Sequence, residues 1–294
     1  MELRLLIIFL FVGLFACQTG TTEESKQIEV LKKALANTPS KENRGLLITA
    51  YQNAIKAYPN DKATNSPYFT ELAKLQVENK AFAAGIQTLM RGLADYPSSK
   101  NVADNLWILS SIYEQNIQRP KVASIIKQLY LKEFPNGTHA ATAKQGISGN
   151  IADGITALGS SMYDETTHKV DYQAANDYIR ICELYALVQP KDSQSPEYLH
   201  KAGETARAVR AFPKAVNLYD RIYTQYPNYE KAAQALFLKA FTYDNDLNDK
   251  GTARALYEEF LKKYPNDDFA DDTQFLLKNL GKNDEEIIKG FKEE

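Results

Sequence analysis

Little in this chain is suited to cross-linking or to holding a metal. Its 294 residues include only two cysteines, Cys17 and Cys182. They lie far apart in different contexts, so a disulfide framework is excluded and stability must come from a packed core. The three histidines, His139, His168 and His200, have no second histidine or cysteine at ligand spacing, which argues against a zinc site. No metal or cofactor is expected. Charge of one sign is also lacking: 35 Lys and Arg stand against 37 Asp and Glu, a formal net charge of -2. That removes any global reason for binding nucleic acid, and no such partner is expected. The longest apolar run, Leu5 to Ala16, has 12 residues, well below the roughly 20 that a transmembrane helix needs. With 44% hydrophobic and 24% charged residues, bulk disorder is excluded as well.

The short apolar run follows a start carrying Arg4 and gives way at once to a polar stretch, which reads as a secretory signal over residues 1–16. It closes on Leu14-Phe15-Ala16-Cys17, which resembles the bacterial lipobox. The resemblance implies that Cys17 becomes the acylated first residue of the mature chain, anchored to a membrane that it does not span. An ordinary cleaved signal with an incidental cysteine is the alternative. Residues 17–27 lack apolar periodicity and read as a flexible tether reaching at most about 35 Å. By analogy with lipoprotein sorting, Gln18 in place of aspartate points to the outer membrane, on its periplasmic face.

Beyond the tether an aromatic-proline pair recurs as Tyr58-Pro59, Tyr96-Pro97, Phe134-Pro135, Tyr226-Pro227 and Tyr264-Pro265, with Gln189-Pro190 as a degenerate member. The prolines are 38, 38, 55, 37 and 38 residues apart, a period that signals a solenoid. Each is preceded by an amphipathic run such as Ala253, Leu256, Tyr257, Phe260, Leu261 and Tyr264, which occupies one face of a helix. Proline ends that helix by lacking an N–H and by disfavouring helix in the residue before it. Asn60, Ser98, Asn136, Asn228 and Asn266, or nearby acids, are then expected to cap the next helix.

Upstream of each of these helices lies another, seen in Phe69-Leu72-Ala73, Leu106-Leu109-Ser110-Tyr113, Leu199-Ala202-Gly203-Ala206 and Leu236-Ala240-Tyr243. Small residues twelve before the proline (Gly85, Ala123, Ala215, Ala253) give the reciprocal close contact. In this pattern the chain resembles the tetratricopeptide repeat family over most of residues 27–280. Its lengthened connections are similar to those of outer-membrane-assembly lipoproteins of the BamD type and Tol-Pal coordinators of the CpoB type. The resemblance implies an all-α, right-handed superhelix of about six helical pairs over residues 28–294, closed by a C-terminal helix from about Asp267 to Leu280. It also implies envelope proteins as partners. In this family the first helix of each pair lines a concave groove, which places Trp107, Glu114, His200, Glu204, Arg207, Phe237, Phe241 and Asp244 there. Trp107, Phe237 and Phe241 are then candidate anchors, unless neighbouring helices bury them.

The long interval, about 136–190, carries Ala143, Ile147, Ile151, Ile155, Leu158 and Met162 at helical spacing. This predicts that the first helix runs on for two extra turns or more, so that proline at Ile151 would cost about 3 kcal/mol. A polar turn from Asp164 to Lys169 and a helix from Tyr172 to Val188 follow. The pair is either a divergent, elongated repeat or a protruding partner contact.

Chemical motifs are sparse. Asp244, Asp246, Asn248 and Asp249 suggest a calcium loop but lack its glycine and its closing glutamate, so a solvated turn is expected. Gly146, Gly149, Gly154 and Gly159 follow no strand and precede no Gly-Lys-Ser/Thr. Asp267, Asp268, Asp271 and Asp272 open a helix, where the dipole accounts for them, and Cys182 reads as a buried small hydrophobe. No nucleophile, base and acid group together, and no enzymatic activity is expected. The expected function is a protein-interaction scaffold in the cell envelope, concerned with outer-membrane or cell-wall biogenesis. A surface-exposed or periplasmic lipoprotein binding peptide or glycan is the competing class.

Overall fold

The computed structural model describes residues 22–283, 285, 286 and 288. The signal segment, Cys17 and the tether as far as residue 21 lie outside the described residues. Two compact units divide the chain, Met1–Asp61 and Lys62–Glu294. In the first, α1 (Glu23–Asn37) packs on α2 (Lys41–Ala57). The helix therefore starts inside the expected tether. The Thr22 hydroxyl accepts the Ser25 N–H, and Glu23 and Glu24 sit at the positive helix end. Ile28, one turn on, is 2% exposed.

The second unit holds α3 (Lys62–Glu78), α4 (Phe82–Asp95), α5 (Val102–Ser111), α6 (Pro120–Glu133), α7 (Ala140–Ala143), α8 (Ile151–Ser160), α9 (Tyr172–Val188), α10 (Ser195–Ala208), α11 (Phe212–Gln225), α12 (Ala232–Phe241), α13 (Lys250–Lys263) and α14 (Ala270–Asn279). Helices pack chiefly on their neighbours in sequence, α3 on α4, α5 on α6, α8 on α9, α10 on both α9 and α11, and α12 on α13. The described fold is all-α and tetratricopeptide-like in its pairing: the first unit is one helical pair, and the second is a solenoid of five pairs with the short α7 and the terminal α14.

The core is built where a small residue meets a large one. Ala73, Ala123, Ala215 and Ala253 are fully buried, as are the first-helix leucines Leu106, Leu109, Leu199 and Leu236. At Gly203 an added Cβ would come within 2.6 Å of the Tyr219 ring, so glycine is what lets α10 and α11 close on one another.

All six residues before the repeated prolines share one backbone conformation, with φ between -119 and -133° and ψ between 54 and 61°. Gln189 is among them, so the degenerate member is degenerate in side chain only. Each carbonyl accepts the N–H three residues on (Asp61, Ser99, Gly137, Asp192, Tyr229 and Asp267), at 3.0–3.3 Å. Proline suits this turn because its φ is preset and its missing N–H is not needed. The expectation that the next residue caps the following helix is corrected. Helices α5, α7, α10, α12 and α14 have no side-chain cap. Instead Ser99, Asp192 and Asp267, two residues after proline, accept N–H groups of the connecting turn.

Every first helix in the regular pairs ends on a left-handed residue that is not glycine: Lys80 (φ 59°), Gln118 (55°), Arg210 (63°) and Asn248 (53°). In two pairs a π-helical turn precedes it, Ile112–Asn116 after α5 and Thr242–Asp246 after α12. The wider turn lets Ile117 and Leu247 donate to Ile112 and Thr242, five residues back, at 3.1 and 3.0 Å.

The expected continuous helix from Ala143 to Met162 is broken. It stops after α7, passes through Gly146 (φ 75°) and Gly149 (66°), and restarts at α8 with Asn150 capping the Asp153 N–H. Positive φ at Gly146 and Gly149, three and six residues past Ala143, accounts for the break. Ser124 and Lys127 of α6 bind this loop through Ser148 and the Gln145 carbonyl. The expected polar turn carries a two-residue antiparallel hairpin, β1 (Tyr163–Asp164) and β2 (Lys169–Val170), with Tyr163 opposite Val170. The helix from Tyr172 to Val188 is where the periodicity placed it.

Candidate functional site

The expected groove residues fall into three groups. Trp107 and Phe237 each directly follow the large first-helix leucine, and each meets the residue just before the next helix. The Trp107 indole stacks on His139 at 4.4 Å and 2°, and the Phe237 ring stacks on Phe269 at 4.7 Å and 26°. This position therefore joins one pair to the next. Phe237 is 8% exposed and also meets Phe260 at 6.1 Å and Tyr257 at 6.5 Å, so it belongs to the core of the last pair. Trp107 keeps a partly exposed face.

His200 occupies the same position on α10 and is 3% exposed. The residue before the next helix is here Lys231, which binds Glu197 at 2.9 Å, so this junction is polar where two others are aromatic. Neither imidazole nitrogen has a hydrogen-bond partner among the described residues, although Glu204 Oε2 lies 3.4 Å from Nδ1. Burial lowers the proton affinity of His200, with Lys231 adding to the effect and Glu204 and Glu197 opposing it.

Glu114 and Asp244 form the second group, at equivalent places on the two π-helical turns, and both are engaged internally. Glu114 binds Lys127 at 2.7 Å. Asp244 accepts from Lys250 Nζ at 2.5 Å and from the Tyr257 hydroxyl at 3.2 Å, and is buried. The solvated turn expected at Asp244–Asp249 is found at Asn248 and Asp249, which are exposed, whereas Asp244 is buried. Asp246 binds Arg207, and Asp249 caps α13 through the Thr252 N–H, so these carboxylates serve the packing of α10, α12 and α13.

The third group is an open cleft of about 530 Å³ between α10, α11 and the end of α12. Arg207 spans it, with Nε 2.6 Å from Asp246 Oδ2 and its guanidinium 4.7 Å above the Phe241 ring. Glu204, one turn earlier on α10, also lines it and is exposed. Of the ten lining residues the sequence places only Glu204 and Arg207 in a groove; the eight others include Arg210, Phe212, Gln234 and Asn245. Arg210 lies in the turn between α10 and α11 and Phe212 opens α11, where no helical periodicity extends. The usable signal was a turn without glycine, which forces a bulky residue to φ 63°. The resulting surface offers a guanidinium, a carboxylate, an amide and an aromatic face within one concavity. Such a surface suits protein side chains better than it suits a reacting small molecule.

Cys182, on α9, is fully buried, and burial pushes its thiol up to about 12. No helix among the described residues is long and apolar enough to cross a membrane. The tetratricopeptide repeat family matches residues 234–267, from near the start of α12 into the turn after α13. No curated protein matches the chain.

Proposed function

We propose that the protein is a tetratricopeptide-type scaffold that binds other proteins of the bacterial envelope through the cleft of α10 to α12, anchored by an acylated Cys17. The carrying observation is the family match at residues 234–267, which includes the part of α12 and the π-helical turn that build one wall of that cleft. Arg207 over Phe241 supports the reading, since arginine and aromatic groups carry much of the energy of protein contacts. The anchor rests on the Leu-Phe-Ala-Cys run alone, and the periplasmic face of the outer membrane on analogy with it.

Two measurements test this. Mass spectrometry of the mature chain is expected to show Cys17 as the acylated first residue, with Cys17→Ser released from membranes or unprocessed. A free amine at any other residue, without acyl mass, sinks the anchor. A photo-cross-linker replacing Phe241 is expected to yield discrete envelope-protein adducts that disappear with Arg207→Ala. Adducts unchanged by Arg207→Ala would remove the cleft from the proposal.

A further inference from the structure

Three crevices run in series along the proline turns of the second unit and share no lining residue with the cleft. One of about 560 Å³ lies between the start of α3 and the turn after Tyr96. A second, also about 560 Å³, lies between that turn, Phe134 and the turn after Gln189. The third, about 790 Å³, continues to the turn after Tyr226. Pro97, Ser98 and Ser99 line both the first and the second, and Pro190, Lys191 and Asp192 both the second and the third. Shared walls make them one track. Each alone is the size of a small-molecule site, but three in series fit a continuing chain.

The charges along this track are unequal in availability. Asp95 is paired with Arg91, Asp192 with Lys132 and the Tyr185 hydroxyl, and Glu133 accepts from the Gln189 amide. Glu197 is raised by burial, yet hydrogen bonds from Tyr229, Lys231 and Lys201 outweigh this and hold it at about 2. Lys62, Lys100 and Lys191 are exposed and have no acidic partner among the described residues, whereas the charge of the lining acid Glu230 acts on the neighbouring Lys231. Proline in each turn removes a backbone donor, so recognition falls to these ammonium groups.

We propose that the track binds an extended acidic segment of a partner protein, whose carboxylates meet Lys62, Lys100 and Lys191. This surface is additional to the cleft and rests on the scaffold reading only in that a protein is the ligand. The test uses a fluorescein-labelled peptide of about 16 alternating glutamate and proline residues, with lysine-proline and serine-proline peptides as controls, followed by anisotropy at low and high salt. Wild-type protein is expected to bind the acidic peptide selectively, and more weakly as salt rises. Lys62→Glu with Lys100→Glu and Lys191→Glu should weaken binding about tenfold or more. Lys121→Glu with Lys144→Glu and Lys262→Glu, an equal charge change at exposed sites elsewhere, should alter it less than about twofold. Circular dichroism confirms that both triples are folded. Equal loss in the two triples, equal binding of the three peptides, or no binding of the acidic one overturns the proposal. The probe is synthetic, so such a failure leaves the adducts at Phe241 standing and the two readings fail separately.

Discussion

Phe237→Ala separates a packing role from a binding role more sharply than any other single change. The ring is 8% exposed and is covered by Phe269, Phe260 and Tyr257, with Phe241 at 6.0 Å. An aromatic side chain buries roughly 150 Å² or more, which at about 25 cal/mol per Å² is a transfer loss near 4 kcal/mol. Phe269 and Phe260 belong to other elements and cannot both collapse inward, so the expected cost is about 3–5 kcal/mol. At roughly 2–4 °C per kcal/mol for a unit of this size, melting should fall by about 6–20 °C. Repeats are stabilised by nearest neighbours, so hydrogen exchange should accelerate mostly in residues 232–280. Phe241→Ala is the control. It loses partial burial and the Arg207 contact at 4.7 Å, about 1–2 kcal/mol in all. Thermal melts and exchange mass spectrometry on both variants decide the matter. If Phe237→Ala melts like wild type, or costs less than Phe241→Ala, the assignment of Phe237 to the core is wrong.

Other outcomes follow from local geometry. Ile151 is the first residue of α8, after an extended Asn150 (φ -121°, ψ 171°), so Ile151→Pro should cost about 1 kcal/mol or less. Ile155→Pro, one turn inside and 2% exposed, should cost about 3 kcal/mol or more; equal melting temperatures for the two would show that α8 does not start there. Lys80→Gly relieves a left-handed residue with an exposed side chain and should stabilise by about 1 kcal/mol, whereas a loss on denaturant titration would contradict the strain. For His200 the folded pKa lies below the ordinary value of 6.5, so the unfolded chain binds its proton first. The contribution of His200 is complete above about pH 6.5 and is lost as pH falls through the lowered folded value. Glu197 and Glu204 on α10, Tyr219 on α11 and Lys231 before α12 face the ring. His200→Phe, which gives this position the residue that α12 carries there, should reduce the acid-side loss in denaturant titrations; an unchanged pH profile would exclude His200 as its source.

The period of the prolines and the helical spacing before them determined the class of fold, because both are local. An X-Pro bond ends a helix wherever it stands, and an apolar face at i, i+3 and i+4 demands a partner helix. For the same reason Gln189-Pro190 could be counted in the series before any coordinate was known, and the helix from Tyr172 to Val188 could be placed. The break between α7 and α8 was a matter of backbone conformation at Gly146 and Gly149, which an unbroken apolar spacing across the loop concealed. What stacks on Phe237, and the Lys231 charge that acts on His200, lie about thirty residues away at the start of the next helix, and periodicity within one helix carries no information about that distance. The cleft around Arg207 was half legible: Glu204, Arg207 and Phe241 share one helical face or its equivalent, whereas Arg210 and Phe212 reach it through a left-handed turn. The shared walls of the proline crevices exist only after the pairs stack. A turn's sequence specifies its own shape, and the space between two turns is specified by the packing of the helices that carry them.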